Sequence, residues 1–174
     1  MKTLWRAGAI AWSLVLASGG PMLAAPAIEA HAFRLRPGQD LLEGLLTEAR
    51  SRVMRAGCVL SAVGSLRHVR VRFADRPEPT DLEGPFEIVS CSGTVTREGA
   101  HVHLAVVDGE GRTFGGHLVP GNPVFTTAEI VLGELPGVVF TRESDVVTGY
   151  RELVVSPRSP SGASASPPPR GTVP

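Results

Sequence analysis

Three of the five histidines in this 174-residue chain, His101, His103 and His117, fall within a span of 17 residues. His101 and His103 stand two apart in the β-branched run Ala100 to Asp108, so on a strand their rings project from the same face. A second apolar run, Thr113 to Val119, returns after Asp108-Gly109-Glu110-Gly111. With a loop of the three residues 109 to 111, Asp108 pairs with Arg112 and His103 lies directly across from His117. Their Cβ atoms would then be about 4.5–5.5 Å apart, close enough to share one ion. A two- or four-residue loop would instead set His117 opposite Val102, unless a bulge at Gly115-Gly116 restored the register. Three neutral imidazoles without a fourth protein ligand make an open, zinc-type site in which water fills the remaining position. Glu87, Glu129 and Glu134 are candidates for a further ligand or a general acid/base, and the sequence does not rank them. The competing reading is a set of ordinary polar positions on a solvated sheet face. His31 and His68, far off in the chain, carry only that reading.

The elements that must position these side chains can be read from periodicity. His31 to Arg36 alternates polar and apolar residues, as a half-buried strand does, and Pro37-Gly38 breaks it. Asp40 sits where a helix N-cap belongs, with Glu43 three residues on. Leu41, Leu42, Leu45, Leu46, Ala49 and Val53 then recur at helical spacing to about Met54, with the end near Gly57. Beyond Gly57 come the strand-like runs 58–63, 66–74, 86–96, 100–108, 113–119, 124–132 and 138–140, and a last short one at 152–155. Gly, Pro and Asn clusters separate them, among them Gly64-Ser65 and Pro77 to Pro85. One early helix followed by strands with short connections predicts an α+β fold. It has a mostly antiparallel, twisted sheet of seven to eight strands and one flanking amphipathic helix. The connections are too short for βαβ crossovers, which excludes a Rossmann-type dinucleotide fold.

The ends differ in character from this middle. Lys2 and Arg6 precede an apolar run from Ala7 to Ala17, then small residues lead to Ala25-Pro26-Ala27. That order predicts a cleaved secretory signal over residues 1–27, hence a periplasmic or secreted protein. The run falls short of the roughly 20 apolar residues a spanning helix needs, so no stable membrane span is expected after cleavage. Residues 156–174 hold six of the 15 prolines and no large apolar anchor except Val173, which predicts a disordered tail. The domain is therefore expected over 28–155.

The whole chain balances 17 basic against 17 acidic side chains. Without residues 1–27 it keeps 15 basic, all Arg, against 17 acidic. A slightly acidic domain argues against a protein whose main work is neutralising phosphates. Arg50, Arg52, Arg55, Arg67, Arg70, Arg72 and Arg76 still concentrate charge in the first half. They read as a solvated surface or as an anion-binding one. Cys58 and Cys91, the only two cysteines, would suit either one disulfide or two small buried positions.

Six segments carry a more specific signal in one order. They are Ala32 to Asp40 (AFRLRPGQD), Gly57 to Leu66 (GCVLSAVGSL), Gly84 to Val89 (GPFEIV), Ser92-Gly93-Thr94, His101 to Leu104 (HVHL) and Gly115 to Leu118 (GGHL). Together they resemble the plant and prokaryote conserved (PPC) domain over nearly all of residues 31–155. The resemblance implies a homotrimer, with the Phe86 to Val89 segment in its assembly surface. It also implies a fold similar to that of the zinc enzyme acetolactate decarboxylase, with His101, His103 and His117 at the metal positions. In plants the domain accompanies AT-hook motifs in DNA-binding proteins, but the Arg-Gly-Arg-Pro core of such a motif is missing here. The expectation is an exported homotrimer whose three-histidine site, loaded with zinc or a similar divalent metal, binds a small molecule or does metal-dependent chemistry. The alternative is a DNA-binding, nucleoid-associated protein using an arginine-rich trimer surface.

Overall fold

A computed structural model describes residues 27–158. The expected leader, save Ala27, and the tail beyond Arg158 lie outside the described residues. Nine elements follow one another: β1 (Glu29–Leu35), α1 (Leu41–Ser51), β2 (Gly57–Arg72), β3 (Thr80–Thr96), β4 (Gly99–Val107), β5 (Thr113–Leu118), β6 (Val124–Glu134), β7 (Val138–Ser144) and β8 (Arg151–Pro157). The eight strands divide into a six-stranded antiparallel sheet, ordered β1-β6-β2-β3-β4-β5, and a separate β7–β8 hairpin. A further pairing of Val71 with Leu118 and Arg72 with His117 ties the end of β2 to β5. Strands β2 to β5 therefore close into a ring, and β6, with β1 beyond it, pairs with the earlier part of the β2 edge that β5 reaches at its end.

The helix begins as its residues dictate. Asp40 caps it by accepting a hydrogen bond from the Glu43 N–H (2.9 Å), and Leu41, Leu45, Leu46 and Ala49 bury one stripe. It ends at Ser51, three residues before the expected Met54. The Met54 N–H reaches back to the Ala49 carbonyl (2.9 Å) and the Val53 N–H to that of Arg50 (3.0 Å), the pattern of a Schellman cap. Val53 occupies the left-handed position of that cap (φ 54°), a strained place for a β-branched residue, and Met54 drops fully into the core. The core itself joins the helix stripe to inward residues of the sheet, among them Leu66, Val71, Val102, Leu104, Ile130 and Leu132.

One expected turn, and the second part of another, are instead strand. Gly64-Ser65 lies inside the 16-residue β2, with Gly64 at φ 142° and the register against β6 shifting between Gly64 and Leu66. A Cβ at Gly64 would collide with the Thr127 carbonyl, so glycine makes a bulge here and not a chain reversal. Likewise Thr80 to Glu83 already pairs with β2. The register shifts opposite Leu66 and His68, leaving Gly84-Pro85 unpaired with β2 in the bulge, where a proline costs no ladder hydrogen bond. At the other end, β8 continues to Pro157, two residues past the expected boundary. No helix among the described residues is long and apolar enough to cross a membrane.

One buried side chain joins three parts of this frame. Asn122 is fully buried in the β5–β6 connection. Its amide oxygen accepts from the Arg70 N–H (2.8 Å), and its Nδ2 donates to the carbonyls of Arg70 (3.1 Å) and Val119 (2.6 Å). The N–H groups of Gly121 and Asn122 donate in turn to the second carboxylate oxygen of Asp40. The helix cap, the end of β2 and the exit of β5 are thus held by one polar network in which every partner is satisfied. Asn122→Ala strands one backbone N–H and two carbonyls, at about 1–3 kcal/mol for a buried group. A loss of about 3 kcal/mol in urea unfolding is expected, and a loss under about 1 kcal/mol would contradict this role.

Candidate metal centre and its cavity

The β4–β5 hairpin has the three-residue loop. Val107 pairs with Thr113, and the Asp108 N–H donates to the Arg112 carbonyl (3.0 Å). One Asp108 carboxylate oxygen accepts from the N–H groups of Glu110 (3.0 Å) and Arg112 (2.9 Å), and the other from the Arg112 Nε (2.7 Å). With the register set there, His103 faces His117. Val102, Leu104 and Val106 point into the core, so His101 and His103 take the outer face of β4. The three rings have centroid separations of 5.0 Å (His101–His117), 5.3 Å (His101–His103) and 5.7 Å (His103–His117). One nitrogen from each lies within 4.8 Å of the others.

Two properties suit this trio to a cation. The Nδ1 of His117 is buried without a hydrogen-bond partner among the described residues, a cost that a bound ion would remove. Burial also holds the His117 imidazole below the ordinary histidine range, with His101 and Arg72 adding to the effect. His101 is lowered in the same way, first by burial and then by Arg142 and His103, against an opposing pull from Glu152. Lowered pKa values keep these rings neutral at neutral pH, the state in which imidazole offers a lone pair. An all-nitrogen, neutral donor set fits zinc and its neighbours better than calcium or magnesium.

The β7–β8 hairpin covers one side of the trio. The Phe140 N–H donates to the Arg55 carbonyl (3.1 Å), and an Arg142 Nη donates to the Thr94 hydroxyl (3.2 Å), which docks the hairpin beside β3. Between hairpin and ring lies a cavity of about 620 Å³ lined by His101, His117, Arg72, Arg142, Arg151 and Glu152 among others. A more open hollow of about 360 Å³ is lined by both His101 and His103. None of Arg72, Arg142 and Arg151 has a carboxylate within 4 Å among the described residues. Glu98, also in the lining, is next to Arg97 instead (3.6 Å). The cavity wall is therefore cationic before any metal is counted.

The structure distributes the other candidates elsewhere. Glu87 is exposed on β3 opposite Val107, and Glu129 is exposed on β6 opposite Arg34. Glu134, at the far end of β6, stands beside His31. None of the three lines the histidine cavity; the acids that do are Glu98 and Glu152. His68 pairs with Glu83 on the β2–β3 ladder. Cys58 and Cys91 are free thiols, and burial pushes the Cys91 thiol up to about 11. The cavity residues Arg142, Arg151 and Glu152 carry no motif of their own. Only the fold-back of the final hairpin brings them to the histidines.

The family model for the Plants and Prokaryotes Conserved (PCC) domain matches residues 22–136. The chain is 43% identical over 169 residues to bifunctional protein GlmU of Synechococcus sp. (strain JA-3-3Ab). That match covers 97% of this chain and 26% of GlmU. It is 34% identical over 119 residues to AT-hook motif nuclear-localized protein 24 of Arabidopsis thaliana, covering 62% of this chain and 35% of that one. The chain thus spans a quarter to a third of these curated relatives. Among solved structures, a hypothetical protein from Salmonella enterica shares 40% identity at a TM-score of 0.76, over 78% of this chain and 98% of that one. A metal-containing protein from Archaeoglobus fulgidus shares 26% at a TM-score of 0.64, over 72% and 93%. The matched family span stops at residue 136, short of the 155 expected, so β7 and β8 follow it.

Gly93 tests how the histidine strand is held. It sits at φ 152° opposite Val102, and a Cβ there would collide with the His101 carbonyl. Gly93→Ala is expected to cost about 2 kcal/mol or more in urea unfolding. Gly99→Ala, in open space on the same hairpin, is expected to stay within about 0.5 kcal/mol. Equal effects of the two would contradict the close packing of β3 on His101.

Proposed function

Because this chain belongs to the Plants and Prokaryotes Conserved domain family, we propose that it is a metal-binding subunit. In this reading it holds a divalent cation of the zinc class on His101, His103 and His117 and offers it to a small anionic molecule. The observation that carries this reading is the buried Nδ1 of His117, without a hydrogen-bond partner among the described residues, on a ring that converges with two further imidazoles. A zinc-class ion in such a site polarises a carbonyl or lowers the pKa of a bound water. The remaining work falls to the chain. Arg72, Arg142 and Arg151 attract and orient an anion, and the hairpin shields the cavity from bulk water. Glu152, one of the two carboxylates in the cavity lining, holds or passes a proton in this reading, in place of Glu87, Glu129 or Glu134.

The same proposal includes assembly and location. A homotrimer would cover apolar side chains that one copy leaves exposed, such as Leu60, Val63, Val89 and Phe125. In the Phe86 to Val89 segment, Phe86 and Ile88 are core residues, so Glu87 and Val89 are the ones free to face a partner. Export to the periplasm or beyond rests on the leader-like residues 1–27. The second reading, DNA binding, draws on the AT-hook motif in the name of the Arabidopsis relative. Against it, three of the seven arginines from Arg50 to Arg76, namely Arg50, Arg52 and Arg70, stand beside Glu43, Glu48 and Asp81, which offsets part of the basic charge of that stretch.

Metal analysis after zinc loading and gel filtration tests the site. His103→Ala is expected to hold one equivalent fewer than the wild type. A wild type that takes up no zinc, or an unchanged count in His103→Ala, would refute the site. A gel shift with duplex DNA at low salt separates the second reading, which requires a salt-sensitive shift where the first expects none.

A further inference from the structure

We infer that Glu29, His31 and Glu134 form a second cation site, for a divalent ion that accepts mixed nitrogen and oxygen donors, on the β1–β6 edge of the sheet. Glu29 pairs directly across from Glu134, so both carboxylates project from one face, and His31, two residues on, joins them there. Like charges directly opposite in a ladder repel. One donor atom from each of the three side chains nevertheless lies within 4.8 Å of the other two.

The imidazole supplies the second observation. The Nε2 of His31 is buried and has no hydrogen-bond partner among the described residues. It lies 3.6 Å from a Glu134 carboxylate oxygen, with only 16% and 14% of the two side chains exposed. That separation is too long for a good hydrogen bond. It is close to the roughly 3.4 Å between two donors that each sit about 2.1 Å from a tetrahedral ion. An ion pair between His31 and Glu134 alone would leave the Glu29 carboxylate uncompensated. A divalent cation neutralises both carboxylates and gives the buried nitrogen its partner. One imidazole with two carboxylates suits Zn²⁺, Co²⁺ or Mn²⁺, and the exposed Glu29 leaves a mouth through which the ion enters. The ion would fasten the start of β1, which among the described residues pairs only with β6.

This site and the histidine trio share no residue, so each can be read without the other. Zinc alone is titrated into the full-length His103→Ala protein, in which the trio is broken, and bound metal is counted after gel filtration. One equivalent per chain is expected to remain. Glu134→Gln added to that background is expected to remove it, with affinity at least tenfold weaker, and His31→Ala serves if that variant does not fold. The inference is overturned if His103→Ala binds no zinc, or if the second substitution leaves binding unchanged. Equal counts in wild type and His103→Ala would instead count against the histidine trio alone.

Discussion

The register of one hairpin decides what this fold can do. A strand alternates faces at every residue, so a slip of one position between β4 and β5 would turn His117 away from His101 and His103. The three-residue loop after Asp108 prevents that slip. The Asp108 carboxylate takes two backbone N–H groups and the Arg112 guanidinium, which fixes the loop length locally. The same register then carries outward: with His117 in place, β5 reaches β2 at Arg72 and closes the ring. Closure brings a cation beside the imidazoles, and the Asn122 network holds the chain as it leaves that strand.

Electrostatics and burial work together around the trio. Burial first, and then nearby arginines, disfavour the protonated rings of His101 and His117, which keeps their nitrogen lone pairs available. A wall whose guanidinium groups have no carboxylate partner among the described residues also favours an anionic guest over a neutral one. The hairpin that supplies Arg142 and Arg151 follows the span matched by the family model. The histidines therefore lie within the span that the family model matches, while much of the cavity wall lies after it. The β1–β6 edge gathers a different donor set, two carboxylates and one imidazole, far along the strand order from β5.

Much of this was legible in the sequence wherever the signal is local. The Asp40 cap, the helix stripe, the alternation around His101 and His103 and the glycine-rich loop after Asp108 each follow from neighbours within a few residues. The misreadings share a cause. Gly64-Ser65 and Gly84-Pro85 carry turn residues, yet a long ladder absorbs each as a bulge, because the pairing around them outweighs local preference. The acids proved harder still. Glu87, Glu129 and Glu134 lie on strands whose faces are set by distant partners, and Glu152 reaches the cavity only through the fold-back of β7 and β8. His31 looked isolated in the chain because the carboxylate beside it, Glu134, is on β6, about a hundred residues away.

The central claim is that three imidazoles of one hairpin act on one ion. The most direct measurement is the histidine side-chain nitrogen NMR spectrum of the full chain, taken before and after one equivalent of zinc. His101, His103 and His117 are assigned by single substitutions. The expected result is that all three rings together acquire the shift of a metal-bound nitrogen, with one nitrogen of each affected. Zinc that leaves these rings unchanged, or that moves only one of them, would contradict the claim.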